Sequence, residues 1–236
     1  MFLTIKKRHI AIAICMIVFC SMMMGVYFSL RHTFSPRTTQ TIVIDAGHGG
    51  RDAGCSGINT GVSESELTLS IAKKLKNQLE NMGYKVVMTR TNSDGLYAQN
   101  AKNYKKSDME KRREIIQKAN PDMVISIHLN SFPAITEKGA QVFYQKESQE
   151  GLALATSMTN QLSNLLENAR KEAIGGDYYI LKSAEVPSCI VEGGFLTNPD
   201  EEALLVTDEY QNKIAYAIMC GVVSYFGLNT TSAKGV

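Results

Sequence analysis

The chain of 236 residues contains only four histidines and five cysteines, and these shortages limit the chemistry available to it. The cysteines form no C-x-x-C pair: Cys15 and Cys20 lie in an apolar run, and Cys55, Cys189 and Cys220 lie outside it. Three cysteines without metal-type spacing do not make a disulfide scaffold. We expect three buried thiols, with a single bridge as the alternative.

Several motifs of common enzymes are also absent. The glycine-rich stretch after residue 46 matches neither G-x-G-x-x-G nor G-x-x-x-x-G-K-[ST], so a phosphate cradle is not expected. No G-x-S-x-G occurs, which argues against a serine hydrolase with a nucleophile elbow. A catalytic Cys-His pair would need Cys55 or Cys189, and no neighbouring residue in the sequence indicates a lowered pKa for either thiol. Paired carboxylates, as in glycoside hydrolases, stay open as an alternative but give the histidines no role.

Charge is unevenly distributed along the chain. Residues 1–38 contain five basic side chains and no acidic one, whereas residues 39–236 contain the other 20 basic and all 23 acidic side chains, a net charge of −3. A nucleic-acid-binding protein needs a basic surface to meet the phosphates. We therefore expect no nucleic-acid partner.

An uncharged run at residues 10–30, in which 18 of 21 residues are apolar, predicts a membrane segment. As a helix it would be about 30 Å long, which matches the hydrocarbon core of a bilayer. The basic residues before it predict that residues 1–9 stay in the cytoplasm and that the remainder is extracytoplasmic. A cleaved signal peptide is the alternative, but residues 22–30 are bulky and offer no A-x-A-like cleavage site. We favour an uncleaved anchor; both interpretations make the protein membrane-anchored or secreted.

The rest of the chain predicts a linker at residues 31–40, one α/β domain at residues 41–228 and a C-terminal tail at residues 229–236. Strands are predicted at residues 41–45, 85–90, 123–129, 140–145, 178–181 and 188–192. Helices are predicted at residues 64–82, 109–119, 152–169 and 210–225. This alternation is typical of a twisted, mostly parallel sheet that is flanked by helices on both faces.

Only two histidines belong to this domain, and each follows a predicted strand. His48 lies in DAGHGG and His128 lies in SIHLNS. In open α/β sheets, ligands bind at the carboxyl ends of the strands. Either histidine alone is as well explained by a structural hydrogen bond, but two at one sheet edge favour a shared metal. Zinc accepts imidazole and carboxylate ligands, and its catalytic sites keep three protein ligands and a water.

A third ligand should be an acid near the same edge, and the candidates are Asp45, Asp52, Glu64, Glu66 and Glu192. Glu64 stands at the start of a predicted helix, directly after the glycine-rich loop, where the helix dipole also favours an acid. Glu192 ends an apolar strand, where a carboxylate is costly to desolvate and indicates a specific role. A buried structural ion pair is the alternative for Glu192.

Four stretches of the sequence together resemble the zinc-dependent N-acetylmuramoyl-L-alanine amidases of bacterial cell walls. They are IDAGHGGRDAGCSG (44–57), ESELTLSIAKKL (64–75), DMVISIHLNS (122–131) and VPSCIVEGGFLTNPDEEALL (186–205). The pattern covers nearly all of residues 41–227 in the order and at the spacing of that family. Ala46 replaces a common proline and Ser65 a frequent lysine, and neither change removes a candidate ligand.

The resemblance implies that His48, Glu64 and His128 bind Zn²⁺ and that Glu192 is the catalytic glutamate. Glu64 is preferred over Glu66 because the family's glutamate stands five residues before the leucine matched by Leu69 and eight residues before the alanine matched by Ala72. The implied reaction is hydrolysis of the amide between N-acetylmuramic acid and L-alanine. The substrate would be a peptidoglycan glycan strand that carries stem peptides.

A membrane-anchored, single-domain form most resembles the germination-specific amidases of spore-forming bacteria. This implies a role in making muramic δ-lactam in spore cortex peptidoglycan, and a place at the boundary between forespore and cortex. It also stays open whether the enzyme needs an accessory protein, of unknown identity, to hold its metal. The alternatives are a non-catalytic peptidoglycan-binding regulator on an amidase fold and a zinc peptidase that cuts within the stem peptide.

Overall fold

A computed structural model describes residue 8, residues 16–24 and residues 39–232, in two compact units, Met1–Thr39 and Gln40–Val236. In the first unit, residues 16–24 are helical and exposed. Among the described residues, no helix has both the length and the apolar character needed to cross a membrane. More than half of the predicted segment at residues 10–30 lies outside the described residues, so the anchor stays a prediction.

The second unit is built on a six-stranded sheet in the order β2-β1-β3-β6-β4-β5. Its strands are β1 (Thr41–Ala46), β2 (Lys85–Met88), β3 (Met123–Asn130), β4 (Gln141–Gln145), β5 (Ile174–Gly176) and β6 (Ser188–Phe195). The strands β2, β1, β3 and β6 are parallel, whereas β4 pairs antiparallel with β6 and parallel with β5. The predicted α/β domain is confirmed, and its sheet is mixed.

Five helices and one short turn of 3₁₀-helix accompany the sheet. They are α1 (Glu64–Asn81), α2 (Tyr104–Ala119), α3 (Gln149–Leu165), α4 (Pro199–Leu205), α5 (Asp208–Ser232) and the turn at Ile180–Lys182. The buried side chains of α1, α3 and α5 form the main core against one face of the sheet, and α2 and the 3₁₀ turn cover the other. The prediction of helices on both faces is therefore confirmed.

The alternation of side chains along the strands decides which residues meet at the thinly covered face. Val43, Val124 and Ile190 face α2 and the 3₁₀ turn in the smaller apolar cluster. Because a strand repeats every two residues, the side chains that follow at the carboxyl ends of these strands lie on the same face. These are Asp45, Ser126, His128 and Glu192. The sheet thus gathers polar groups on the face that α2 and the 3₁₀ turn cover.

The strand predicted at residues 178–181 is wrong. Ile180 and Leu181 are both buried in the smaller cluster, which a strand facing solvent on one side does not allow, and the segment forms the 3₁₀ turn instead. The edge strand beside β4 is β5, whose sequence IGG has a single β-branched residue and two glycines, which are depleted in strands.

Three predicted helices begin before their predicted starts: α2 by five residues, α3 by three and α5 by two. Helix α2 begins at Tyr104, not at residue 109, because the Asn103 side chain caps it by accepting a hydrogen bond from the Lys106 backbone N–H at 3.0 Å. Helix α4 was not predicted, although Asn198 followed by Pro199 is a typical start: the Asn198 side chain accepts hydrogen bonds from two backbone N–H groups. Helix α5 extends through Ser232, four residues beyond residue 228.

Candidate metal centre

His48 is carried by the loop that leaves β1, and this loop depends on its glycines. The backbone of His48 has a φ of 61°, a left-handed conformation that costs a non-glycine residue about 1 kcal/mol or more. A Cβ at Gly47 would lie 2.4 Å from the ring of His128. Gly54 has a φ of 71°, and a Cβ there would lie 2.4 Å from Oε2 of Glu64. The loop can approach both side chains only because these positions are glycine.

The structure brings His48, Glu64 and His128 together from three distant parts of the chain. Oε1 of Glu64 lies 3.0 Å from Nε2 of His48 and 3.0 Å from Nδ1 of His128. One ligand atom from each of the three residues lies within 4.8 Å of the others. Two imidazoles and one carboxylate form a donor set that suits zinc in a site with three protein ligands.

The carboxylate of Glu64 is fixed by two backbone hydrogen bonds. Oε1 accepts one from the Leu129 N–H at 3.0 Å, and Oε2 accepts one from the Cys55 N–H at 3.0 Å. Burial alone would raise the pKa of Glu64, but the hydrogen bonds and charges of His128 and His48 outweigh it and hold the pKa well below its usual range. Glu64 is therefore ionised, as a metal ligand must be.

Asp52 orients His48. Its Oδ2 lies 2.9 Å from Nδ1 of His48, which leaves Nε2 directed at Glu64. Burial alone would lower the pKa of His48, but hydrogen bonds and charges from Glu64 and Asp52 raise it overall. A carboxylate behind a ligating imidazole fixes the ring orientation and increases its basicity. Asp52, a candidate ligand from the sequence, is thus the hydrogen-bond partner of His48.

Glu192 lies beside this cluster on β6. Its Cα is the register partner of His128 on β3, and both side chains line one cavity. Its Oε2 is buried and has no hydrogen-bond partner within the described part of the chain. Burial raises the pKa of Glu192 to about 7, with the Glu64 charge adding to the effect and the histidine charges opposing it. A carboxyl group in this state can accept and return a proton near neutral pH.

The cavity beside these residues has a volume of about 330 Å³. Four tyrosines line it, Tyr97 and Tyr104 from the segment that enters α2, and Tyr178 and Tyr179 from the segment that precedes the 3₁₀ turn. Sequence analysis did not identify them because both segments carry no motif. A cleft that combines aromatic and apolar walls with converging polar groups is typical of a substrate site.

The sequence model of the family described as N-acetylmuramoyl-L-alanine amidase, Amidase_3, matches residues 42–224. The chain belongs to this amidase family. It is therefore an enzyme, an N-acetylmuramoyl-L-alanine amidase that acts on peptidoglycan.

Individual relatives agree with this assignment. The amidase is 34% identical over 196 residues to the germination-specific N-acetylmuramoyl-L-alanine amidase of Bacillus subtilis, covering 81% of each chain. It resembles the CwlD amidase of Clostridioides difficile, solved in complex with the GerS lipoprotein, with a TM-score of 0.77 and 35% identity over 80% of this chain and 100% of that one. The catalytic domain of CwlV from Bacillus (Paenibacillus) polymyxa has a TM-score of 0.71 and 26% identity over 80% of this chain and 99% of that one.

The remaining acidic candidates do not join the cluster. Asp45 is buried and pairs with Arg112, whose Nη1 lies 2.7 Å from its Oδ1. Burial would raise the pKa of Asp45, but the Arg112 charge and hydrogen bonds from Thr89 and Ser126 lower it to about 2. Glu66 is exposed on α1. Neither side chain reaches His48 or His128 in the amidase, although spacing alone left both open.

Two buried arginines of the amidase escaped the sequence analysis. Arg90, just after β2, and Arg112, on α2, bind backbone carbonyls of the loop that carries His48. In the structure, Arg112 and Ile116 are the buried residues of α2. In the sequence, the one sign of this was the spacing of four residues, which places Arg112 on the same side of the helix as the apolar Ile116. A charged residue at a core-facing helical position usually has a buried partner.

The cysteines in the described part of the amidase are free. Cys189 is buried, and Cys55 and Cys220 are half-buried. Burial, together with the nearby Glu64 charge, raises the pKa of Cys55 to about 12. Its thiol therefore stays protonated beside the candidate metal site, which disfavours a role as a nucleophile.

Proposed function

We propose that the amidase is zinc-dependent, with His48, Glu64 and His128 as the metal ligands and Glu192 as the catalytic residue. It would hydrolyse the amide between N-acetylmuramic acid and L-alanine and leave the glycan strand intact. The observation that carries the proposal is the convergence of the three donor atoms within 4.8 Å, with the unpaired carboxyl oxygen of Glu192 in the same cavity.

The residues present fit a zinc ion. The donor set is two imidazole nitrogens and one carboxylate oxygen, and the carboxylate is ionised. The Asp52 carboxylate behind His48 is the kind of outer partner that a metal-binding histidine usually has. The cavity next to the cluster leaves room for substrate on the side of Glu192.

The roles of the protein's own groups follow from this arrangement. Bound zinc would supply a Lewis acid that lowers the pKa of water and stabilises negative charge on the lactyl carbonyl oxygen. Glu192 would accept the proton of the attacking water on its carboxylate. The same carboxyl group would then protonate the departing amine of L-alanine. Asp52 would hold the His48 ring in place throughout.

We further propose that the substrate is spore cortex peptidoglycan and that the product leads to muramic δ-lactam. This is supported by the likeness to the germination-specific amidase of Bacillus subtilis and to the CwlD amidase. The enzyme would act outside the cytoplasmic membrane at the boundary between forespore and cortex, held there by the predicted segment at residues 10–30. The CwlD structure was solved with a lipoprotein, which supports an accessory protein for this amidase as well.

The decisive experiment is digestion of purified muropeptides by the full-length protein, with zinc and with a chelator. Mass spectrometry should find free stem peptides and a free lactyl carboxylate on muramic acid, and the chelator should prevent their formation. Products cut within the stem peptide would instead identify a zinc peptidase. Unchanged turnover after complete removal of metal would contradict the zinc dependence.

The cortex role needs a separate test in the spore-forming host. Spores that carry Glu192→Gln in place of the natural residue should lack muramic δ-lactam and should germinate poorly, while vegetative wall composition is unchanged. Normal δ-lactam content in spores that contain only the inactive variant would overturn the cortex assignment. The amidase activity measured on purified muropeptides would stand regardless.

A further inference from the structure

Three consecutive carbonyl groups, from the last residue of β1 into the loop after it, face two buried guanidinium groups. The carbonyl of Ala46 accepts hydrogen bonds from Nε of Arg90 at 3.0 Å and from Nη1 of Arg112 at 2.7 Å. The carbonyl of Gly47 accepts one from Nη2 of Arg90 at 2.7 Å. The carbonyl of His48 accepts one from Nη2 of Arg112. The direction of the backbone here is thus set by one side chain that follows β2 and one on α2.

Arg112 is the more specific of the two because it reaches His48 itself. It is among the largest fully buried side chains of the described residues, at 2% exposure. Its Nε lies 2.5 Å from Oδ2 of Asp108, and its Nη1 is shared between Asp45 and the loop. These contacts leave Nη2 directed at the His48 carbonyl, so the planar group is held at three corners.

The contact matters because His48 has an unfavourable backbone conformation. A non-glycine residue with a φ of 61° keeps that conformation only where surrounding contacts determine it. A change in φ at His48 would carry the imidazole away from Glu64, because the carbonyl and the side chain of one residue turn together about its N–Cα bond. The hydrogen bond between Asp52 and Nδ1 fixes the ring, but it does not fix the backbone.

We infer that Arg112 is a positioning residue of the amidase, whose guanidinium holds the His48 backbone in the conformation that directs the imidazole toward Glu64 and His128. The inference rests on the proposed role of His48 as a metal ligand. It assigns to α2, which contributes none of the proposed ligands, the task of shaping the metal site. Metal affinity and coordination geometry should therefore depend on a side chain that never touches the metal.

A purely structural role for Arg112 makes a different prediction. If the guanidinium only neutralised Asp45, lysine would serve as well, because it keeps the positive charge. Lysine has a single nitrogen in place of a planar fork with five donors, so it cannot bond Asp45, Ala46 and His48 together. Arg112→Lys therefore separates positioning from charge compensation.

The experiment titrates metal-free, full-length protein with zinc in competition with a chromophoric chelator. A parallel titration uses cobalt(II), whose visible absorption reports the ligand geometry. Arg112→Lys should weaken zinc binding by about 10-fold or more, the usual effect of losing an outer partner of a ligand, and should change the cobalt spectrum. Arg113→Lys, the same substitution at the exposed neighbouring position on α2, should match the wild type in both.

An Arg112→Lys protein that is folded by circular dichroism and has wild-type zinc affinity and cobalt spectrum would overturn the inference. If that variant fails to fold, Asp108→Ala decides, because it removes the side-chain oxygen that accepts the hydrogen bond from Nε of Arg112. Asp108→Ala should weaken zinc binding by about 10-fold, and unchanged binding in this folded variant would also overturn the inference. Failure of the wild type to bind either metal would instead refute the proposed function.

Discussion

His128 and Glu192 occupy paired positions on the adjacent parallel strands β3 and β6, and both side chains line the same cavity. Their separation in sequence is large, but strand pairing places a proposed ligand next to the proposed catalytic carboxyl group. The carboxyl oxygen Oε2 of Glu192 has no hydrogen-bond partner among the described residues. A buried polar atom without a partner is costly to keep, and a catalytic role explains why it is present.

Replacement of this carboxyl group should abolish chemistry without removing metal. Glu192→Gln should lower turnover of muropeptides by about 10²-fold or more, because the amide cannot accept and return a proton. Zinc content, measured by mass spectrometry of the purified protein, should equal that of the wild type. Glu150→Gln, an exposed position on α3, is the matched control and should retain activity. Full turnover in Glu192→Gln would remove this residue from the mechanism.

A methyl group at Gly47 should disturb the metal centre directly. In Gly47→Ala the new Cβ would lie 2.4 to 2.7 Å from three atoms of the His128 ring, so the ring or the loop must move. We expect zinc affinity to fall about 10-fold or more, as measured by chelator competition. Gly227→Ala, where no side chain or distant backbone atom of the described residues lies within 4 Å of the new Cβ, should bind zinc normally. Wild-type affinity in Gly47→Ala would show that the close approach is not required.

The buried pair of Asp45 and Arg112 should make stability depend on pH. The pKa of Asp45 is lowered from 3.8 to about 2, so the folded state holds the carboxylate more strongly than the unfolded state. Its contribution, about 2 kcal/mol, is present above pH 4 and is lost as the pH falls from about 4 to 2. Urea unfolding of the metal-free protein between pH 6 and pH 2 measures this loss.

Asp45→Asn provides the comparison for that measurement. The variant should be less stable near neutral pH, and its free energy of unfolding should fall less steeply between pH 4 and pH 2. Identical pH dependence in the variant and the wild type would assign the acid sensitivity to other carboxylates.

Glu202 should stabilise the loop that precedes α1. Its buried carboxylate accepts hydrogen bonds from the backbone N–H groups of Asn59 and Thr60, at 2.9 and 2.8 Å. Glu202→Ala should lower the free energy of unfolding by about 2–4 kcal/mol, because it leaves these donors without an acceptor. Thermal or urea unfolding checks this, with the exposed Asp200→Asn in the same helix as control. A change no larger than that of the control would contradict this role.

Much of the fold followed from local patterns. The starts of α1 and β3 and the apolar character of β1 and β6 could be predicted because helices and strands bury residues at fixed periods. The 3₁₀ turn at Ile180–Lys182 and the edge strand β5 could not, because their conformations depend on the cluster and the strand against which they pack.

The sequence by itself determined the family, the four side chains proposed for catalysis and the class of metal that suits them, because these depend on residue types in a recognisable order. Only the tertiary structure decided that Asp52 supports His48, that Asp45 pairs with Arg112, and that Arg112 binds the loop of His48. The physical reason for this difference is that the spacing of residues along the chain determines only which face of a strand each residue occupies. Which strands and helices lie side by side depends on packing across the whole sheet.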